Sequence, residues 1–350
     1  MTTTRVTSRL PRYSRADLAC ALTPRDLQIL QTVESFRLLD SEHIRALASG
    51  SGQGILRRLQ KLYHGGLLDR LRPLHVHGGG SQKMVYAITN RGLNALQKEG
   101  LIKEVSKTDR NASNRDLRKE SIEHRLLISH IRTVFKLACQ AGPDDTDQYD
   151  ATFSGVCKAK HDQPNYNEAN QNSTNPGVNF LFWREGRELF DRIEVSLPHG
   201  YAQIPVAPDG FFTLQDAQRR RAHLFVEADR GTMSLKRVML KLQAYAAWSR
   251  EKRQETKLGI KNFRVLTVTT SRARCLNLID AAEEVEPVRD NARMFLFAAE
   301  EFLPLSKPAA VLSKVWLMPD SAEPHTLLGG PGIAGTSTKE EIYPTAAGTV

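Results

Sequence analysis

The stretch 222–229, AHLFVEAD, restricts the fold of this chain more than any other, because alternation with period two reads through it as a β-strand. His223, Phe225, Glu227 and Asp229 then share one face, and Leu224, Val226 and Ala228 the other. Same-face neighbours on a strand lie about 7 Å apart, so Glu227 and Asp229 point the same way within reach of a common ligand. Asp209 follows Pro208 and precedes Gly210, and 211–214 reads as a short strand joined to 222–229 by the connection QDAQRRR. A hairpin of these two strands brings three carboxylates together.

Such a cluster suits one or two hard divalent cations, although Asp-Gly is also an ordinary turn signal and charged strand ends are common. Held together in a low-dielectric site, the carboxylates need a cation or a lysine to offset their repulsion. Ser234 can cap a following helix with Leu235, Val238, Met239, Leu242 and Ala246 on its inner side. That helix carries Lys236 and Lys241, either of which could supply the charge or lie solvated on its surface.

The net charge of +10 is unevenly spread. Residues 1–110 hold 18 Lys and Arg against 9 Asp and Glu, whereas 111–350 hold 31 against 30. A basic first third points to a polyanion partner, since neutralising phosphates supplies much of the affinity for nucleic acid. With 40% hydrophobic and 25% charged residues the rest is ordinary globular composition. Lacking a long apolar run and an apolar leader, the chain is expected in the cytoplasm. Cys20, Cys139, Cys157 and Cys275 are too scattered for a disulfide framework or a thiolate zinc site.

Within the basic third, Thr23-Pro24 marks a helix start, and Asp40 or Ser41 a second. A Gly-Ser turn at 50–54 leads into a third helix with Ile55, Leu59 and Leu62 inside and Gln53, Arg57, Arg58 and Lys61 outside. Strands at 67–71 and 84–88 flank the glycine-rich tip HVHGGGSQK, and a helix at 91–99 follows. A long amphipathic helix over 114–140 is expected to open a second domain. The segment 158–178, rich in Asn, Gln and Pro, reads as a polar insertion, and strands are expected near 179–183 and 189–196. After the lysine-bearing helix come a buried strand at 263–270, a helix at 271–282, a strand at 294–298 and a segment at 311–317. Residues 1–21 read as a flexible start and 319–350 as a disordered tail.

Residues 22–104 resemble a winged helix-turn-helix, including the GLLDR lead-in to the wing and the ITNRGLNAL exit. By that resemblance the helix carrying Gln53, Arg57, Arg58 and Lys61 would enter the major groove of double-stranded DNA, with Lys83, His75 and His77 on or beside the wing. The paired histidines have a solvated loop as their alternative reading, and the module has a dimerisation surface as its alternative. Over 114–318 the order of elements, with PD opening one strand and ExD closing the next, resembles the PD-(D/E)xK nuclease core. More closely, HRLLISHIRTVF, PDGFF, FVEADRGT with KLQAY, and FRVLTVTTSRAR resemble the replication-relaxation family, related to MobC-type plasmid relaxases. The implied fold class is α+β, a winged helix followed by a restriction-endonuclease-like domain with a mixed sheet.

The resemblance implies that Asp209, Glu227 and Asp229 hold Mg²⁺ or Mn²⁺, with Lys241 as a displaced motif lysine, Lys236 in reserve, and His124 at a family-like helix position. It also implies relaxosome or replication proteins as partners. Asp229 stands where the nuclease motif has its lysine, which puts catalysis in question. Two functions follow: a metal-dependent DNA-nicking relaxase, attacking with water or a side-chain hydroxyl such as that of Tyr245, or a non-catalytic regulator or replication initiator that only binds DNA.

Overall fold

The structure, a computed structural model, describes residues 21–71, 83–103, 109–139, 177–197, 199–321 and 323–328. The chain is mixed α and β and divides into two units, Met1–Ser129 and His130–Val350.

The first unit begins as its capping signals require. Thr23 caps α1 (Pro24–Phe36) in a reciprocal box with Asp26, and Asp40, following the two-residue strand β1 (Leu39–Asp40), caps α2 (Ser41–Leu47) through the backbone N–H groups of Glu42 and His43. Ser51 caps α3 (Gly52–His64), whose Ile55, Leu59 and Leu62 are buried as their spacing predicts. Strands β2 (Leu68–Leu71) and β3 (Val85–Ile88) pair antiparallel, and β1 adds to the far edge of β3. Thr89 then caps α4 (Asn90–Lys98). Both expected strands are present, while the tip between them, with His75 and His77, lies outside the described residues.

The single helix expected over 114–140 is instead two, α5 (Arg110–Arg115) and α6 (Lys119–Ala138). Asp109 caps the short α5, and buried Asn114 donates to Asp69 and to the Ile88 carbonyl, so α5 is tied to the sheet rather than continued into α6. Ile122 near the start of α6 packs with Leu38, Val85 and Ala87 of the first unit, and the division between the units falls inside this helix.

In the second unit a five-stranded mixed sheet has the order β10-β9-β8-β7-β4. Strand β4 (Asn179–Arg184) pairs antiparallel with β7 (Gly210–Gln215), which pairs antiparallel with β8 (Arg221–Asp229). β8 runs parallel to β9 (Arg264–Thr269), and β9 parallel to β10 (Phe295–Ala299). The expected strand near 189–196 forms β5 (Asp191–Leu197), but it is zipped to β6 (Gly200–Val206), a strand that the sequence did not announce. Pro205 lies within β6, and most of its residues face solvent, so the hydrophobic signal is weak.

One face of the five-stranded sheet, carrying Phe211, Phe225 and Val265, packs on α7 (Leu235–Arg250). A short α8 (Arg253–Leu258) follows α7, and α9 (Arg272–Glu283) covers the same face through Cys275, Leu278 and Ile279. The opposite face, with Phe212, meets Phe135 of α6, and Phe135 stacks near Trp316. Leu317 bridges to Phe297 of β10, and His325 to Trp316, so residues 323–328, expected within a disordered tail, are instead anchored to the unit. None of the described helices is long and apolar enough to cross a membrane.

Gly92 marks the closest approach in the first unit. A Cβ there would lie 2.3 Å from the Leu67 carbonyl oxygen and 2.7 Å from Ile88 Cγ1. Gly92→Ala is therefore expected to destabilise the protein by about 2 kcal/mol or more despite alanine's better helix propensity, read as a lowered urea midpoint.

Candidate functional site

The site is built on the β7–β8 hairpin. Asp209, just before β7, donates its N–H to the Val226 carbonyl at 2.9 Å, and its Oδ2 accepts from the Ala228 N–H at 2.9 Å. Its carboxylate is thereby fastened to the residue between Glu227 and Asp229. Gly210 is needed next because the Trp183 ring covers it, at 2.3 Å from where a Cβ would be.

Glu227 is buried, 6% exposed, on the face covered by α7. Lys241 and Tyr245 lie four residues apart on α7, hence on one side of it, and both reach this carboxylate. The Lys241 ammonium pairs with Oε2, and the Tyr245 hydroxyl donates to Oε1 at 2.5 Å. Burial pushes the Glu227 carboxyl up to about 7, the nearby Lys241 pulls it down, and the charge of Asp209 adds to the rise. Burial would lower the Lys241 ammonium, but Glu227 and Asp209 outweigh it and hold it above the ordinary lysine value. Tyr245, fully buried, is raised well above an ordinary phenol by burial and by Glu227, which makes its hydroxyl a hydrogen-bond donor and a poor nucleophile.

Asp229 faces the same side as Glu227, but it is engaged elsewhere. Arg274 of α9 binds it with Nε at 2.9 Å, and the Thr269 hydroxyl of β9 donates to it at 3.0 Å. Arg274 also donates to the Met233 carbonyl at 2.7 Å, tying the start of α7 to α9. Among the described residues no three of His, Cys, Asp and Glu are gathered so as to hold a metal ion. Asp209 and Glu227 share a site with Lys241, and Asp229 pairs with Arg274. Two hard oxygen donors beside an ammonium remain a fit for Mg²⁺ or Mn²⁺, on condition that the ion displaces Lys241 or Tyr245 from Glu227.

The other expected residues are distributed as follows. Lys236 is exposed in the first turn of α7. His124 is half-buried in the part of α6 that belongs to the first unit. On α3, Gln53, Arg57 and Lys61 are exposed, whereas Arg58 turns inward and binds the α1 cap, with Nη1 at 2.8 Å from Thr23 Oγ1 and 2.8 Å from Asp26 Oδ2. Arg58 thus departs from the outward position expected of it, because a buried carboxylate lies within its reach. Lys83 is exposed and pairs with Glu42 at 2.5 Å. Sequence reasoning missed Arg274, which nothing local to TSRARC connects with Asp229. The spacing of Lys241 and Tyr245 was a usable signal for their shared target.

Fold and site define a two-unit α+β protein whose mixed sheet carries a buried carboxylate–lysine–tyrosine network. Residues 30–263 match the family described as replication-relaxation, a span that contains α3, the β7–β8 hairpin and Lys241, and the chain belongs to this family. Membership points to a role in replication or in the DNA processing of mobile elements. No curated protein and no solved structure matches the chain significantly.

Two outcomes follow from the geometry. Glu227 titrates near 4.5 when unfolded and about 7 when folded, so its contribution is full below pH 4.5 and is lost as pH rises to 7. Wild-type stability should fall across that window by up to roughly 3 kcal/mol, and Glu227→Gln should flatten the profile. Arg274→Ala, leaving Asp229 buried without its cation, should cost about 3–5 kcal/mol in chemical denaturation, with Asp229→Asn recovering part of the loss.

Proposed function

We propose that this protein binds double-stranded DNA of a mobile element and nicks it in a metal-dependent way during plasmid mobilisation or replication, as a relaxase of the MobC type would. In this reading the first unit is a winged helix-turn-helix. Its support is three helices over a three-stranded antiparallel sheet, with Gln53, Arg57 and Lys61 exposed on the third helix for a major groove and Lys83 near the β2–β3 connection for backbone phosphates. The second unit is read as a PD-(D/E)xK-like domain. The observation that carries the reading is that Lys241, arriving from α7, meets Glu227 beside Asp209 and so supplies from a helix the lysine missing from position 229.

Asp209 and Glu227 would hold Mg²⁺ or Mn²⁺, which when bound polarises a phosphoryl oxygen and lowers the pKa of a bound water. The residues of the chain do the remainder. Lys241 offers positive charge to a phosphodiester as negative charge develops on it, and Tyr245 orients the Glu227 carboxylate by donating to it. Burial of Tyr245 favours water over that hydroxyl as the attacking group. Relaxosome or replication proteins are the partners this activity would require.

One observation favours a second reading, a DNA-binding regulator or initiator without catalysis. Both oxygens of Glu227 are already engaged within the protein, so the network is also a self-sufficient piece of core. Supercoiled DNA carrying the region flanking the gene separates the two. With Mg²⁺ or Mn²⁺ the wild type should yield open circles, and Asp209→Ala, Glu227→Ala and Lys241→Ala should each lower the yield roughly 100-fold or more. A wild type that shifts the same DNA without nicking it would leave the binding protein as the better reading.

A further inference from the structure

Arg37 is built in an uncommon way. Leu38 N–H donates to the Phe36 carbonyl at 2.9 Å across Arg37, whose φ of 70° and ψ of −52° make the rare, strained form of γ-turn. Strained backbone at a non-glycine residue persists only where the surroundings enforce it, and it concentrates at binding sites. The strand β1 and its pairing with β3 begin immediately afterwards, so the turn fixes where this guanidinium projects.

Two further arginines approach it. Arg37 Nη2 donates to Ser113 Oγ at 2.8 Å on α5, the helix that Arg110 opens, and the Arg110 backbone is fixed by Asn90 Oδ1 at 2.9 Å. Arg125 lies one helical turn before Ser129, whose hydroxyl donates to the Leu38 carbonyl at 2.6 Å, so Arg125 is on the side of α6 that meets this turn. Burial, then the charges of Arg110 and Arg125, bring the Arg37 guanidinium down to about 10.

Two of the donors lack acceptors. Arg37 Nη1 and Arg110 Nε are buried and have no hydrogen-bond partner, and among the described residues no carboxylate pairs with either side chain. Elsewhere partly buried guanidinium groups meet carboxylates, as Arg58 meets Asp26 and Arg274 meets Asp229. Clustered like charges with orphaned N–H groups oppose folding unless an anion completes them. Tetrahedral oxyanions suit planar guanidinium groups that converge from different elements.

We propose that Arg37, Arg110 and Arg125 form a phosphate-binding site on the first unit, made of residues other than those on the outward face of α3, and that it takes a backbone phosphate of nucleic acid. This rests on the first unit being a DNA-binding module, with inorganic phosphate as the alternative source of the same chemistry.

The test uses the full chain and the double variant Arg37→Gln with Arg110→Gln, and Arg125→Gln separately. Binding to a duplex of unrelated sequence across a salt series should lose about one unit from the log–log salt slope in each variant. The thermal midpoint of the double variant should stay equal to or above that of the wild type, because repulsion is relieved. Inorganic phosphate at constant ionic strength should raise the wild-type midpoint and leave the variants unmoved. An unchanged salt slope with a lowered midpoint would make the cluster structural and overturn the proposal. No response of the wild type to either duplex or phosphate would overturn it as well. If the wild type ignores the duplex but still responds to phosphate in an arginine-dependent way, the DNA-binding reading fails and the site stands as one for free phosphate.

Discussion

A carboxylate in the middle of a sheet, under a helix, has to be compensated or the layers cannot close. Glu227 is that carboxylate, and the second unit is organised around its compensation. Lys241 and Tyr245 come from one side of α7, so satisfying the charge also sets the rotation of α7 about its own axis. The aromatic cluster of Phe225, Tyr245, Trp248 and Phe263 continues the same contact, which makes polar and apolar packing mutually consistent. Trp248 extends it further by donating to Asp191, so the β5–β6 hairpin is also referenced to α7.

Asp229 solves a similar problem with different means. Two residues beyond Glu227 on the same face, it is met by Arg274 from α9 and by Thr269 from the parallel strand β9. Neighbouring acids thus acquire separate cations from separate helices, which keeps them from repelling each other across a shared site. One of the two cations is a lysine with a single ammonium group, and the other an arginine that donates to both oxygens of Asp229 and to the Met233 carbonyl.

Much of this was legible in the sequence where a local rule governs. Capping residues fixed the starts of α1, α2 and α3, and the period of two in 222–229 placed Glu227 and Asp229 on one face. Lys241 was within sight because helix periodicity orients it. What escaped depended on contacts between distant segments. Arg274 reaches Asp229 across 45 positions, Arg58 reaches Asp26 across 32, and nothing in their own neighbourhoods distinguishes them from solvated arginines. β6 escaped for the opposite reason, since a mostly solvent-facing strand that contains a proline carries little apolar signal of its own.

The inward turn of Arg58 has a bearing on how this family can diversify. The carboxylate that begins α1 also holds α3 in place, through a side chain that lies within the outward-reading stretch of α3. Change at Arg58 would alter the pose of the whole helix. Gln53, Arg57 and Lys61, by contrast, are exposed and can mutate without disturbing how α3 is mounted.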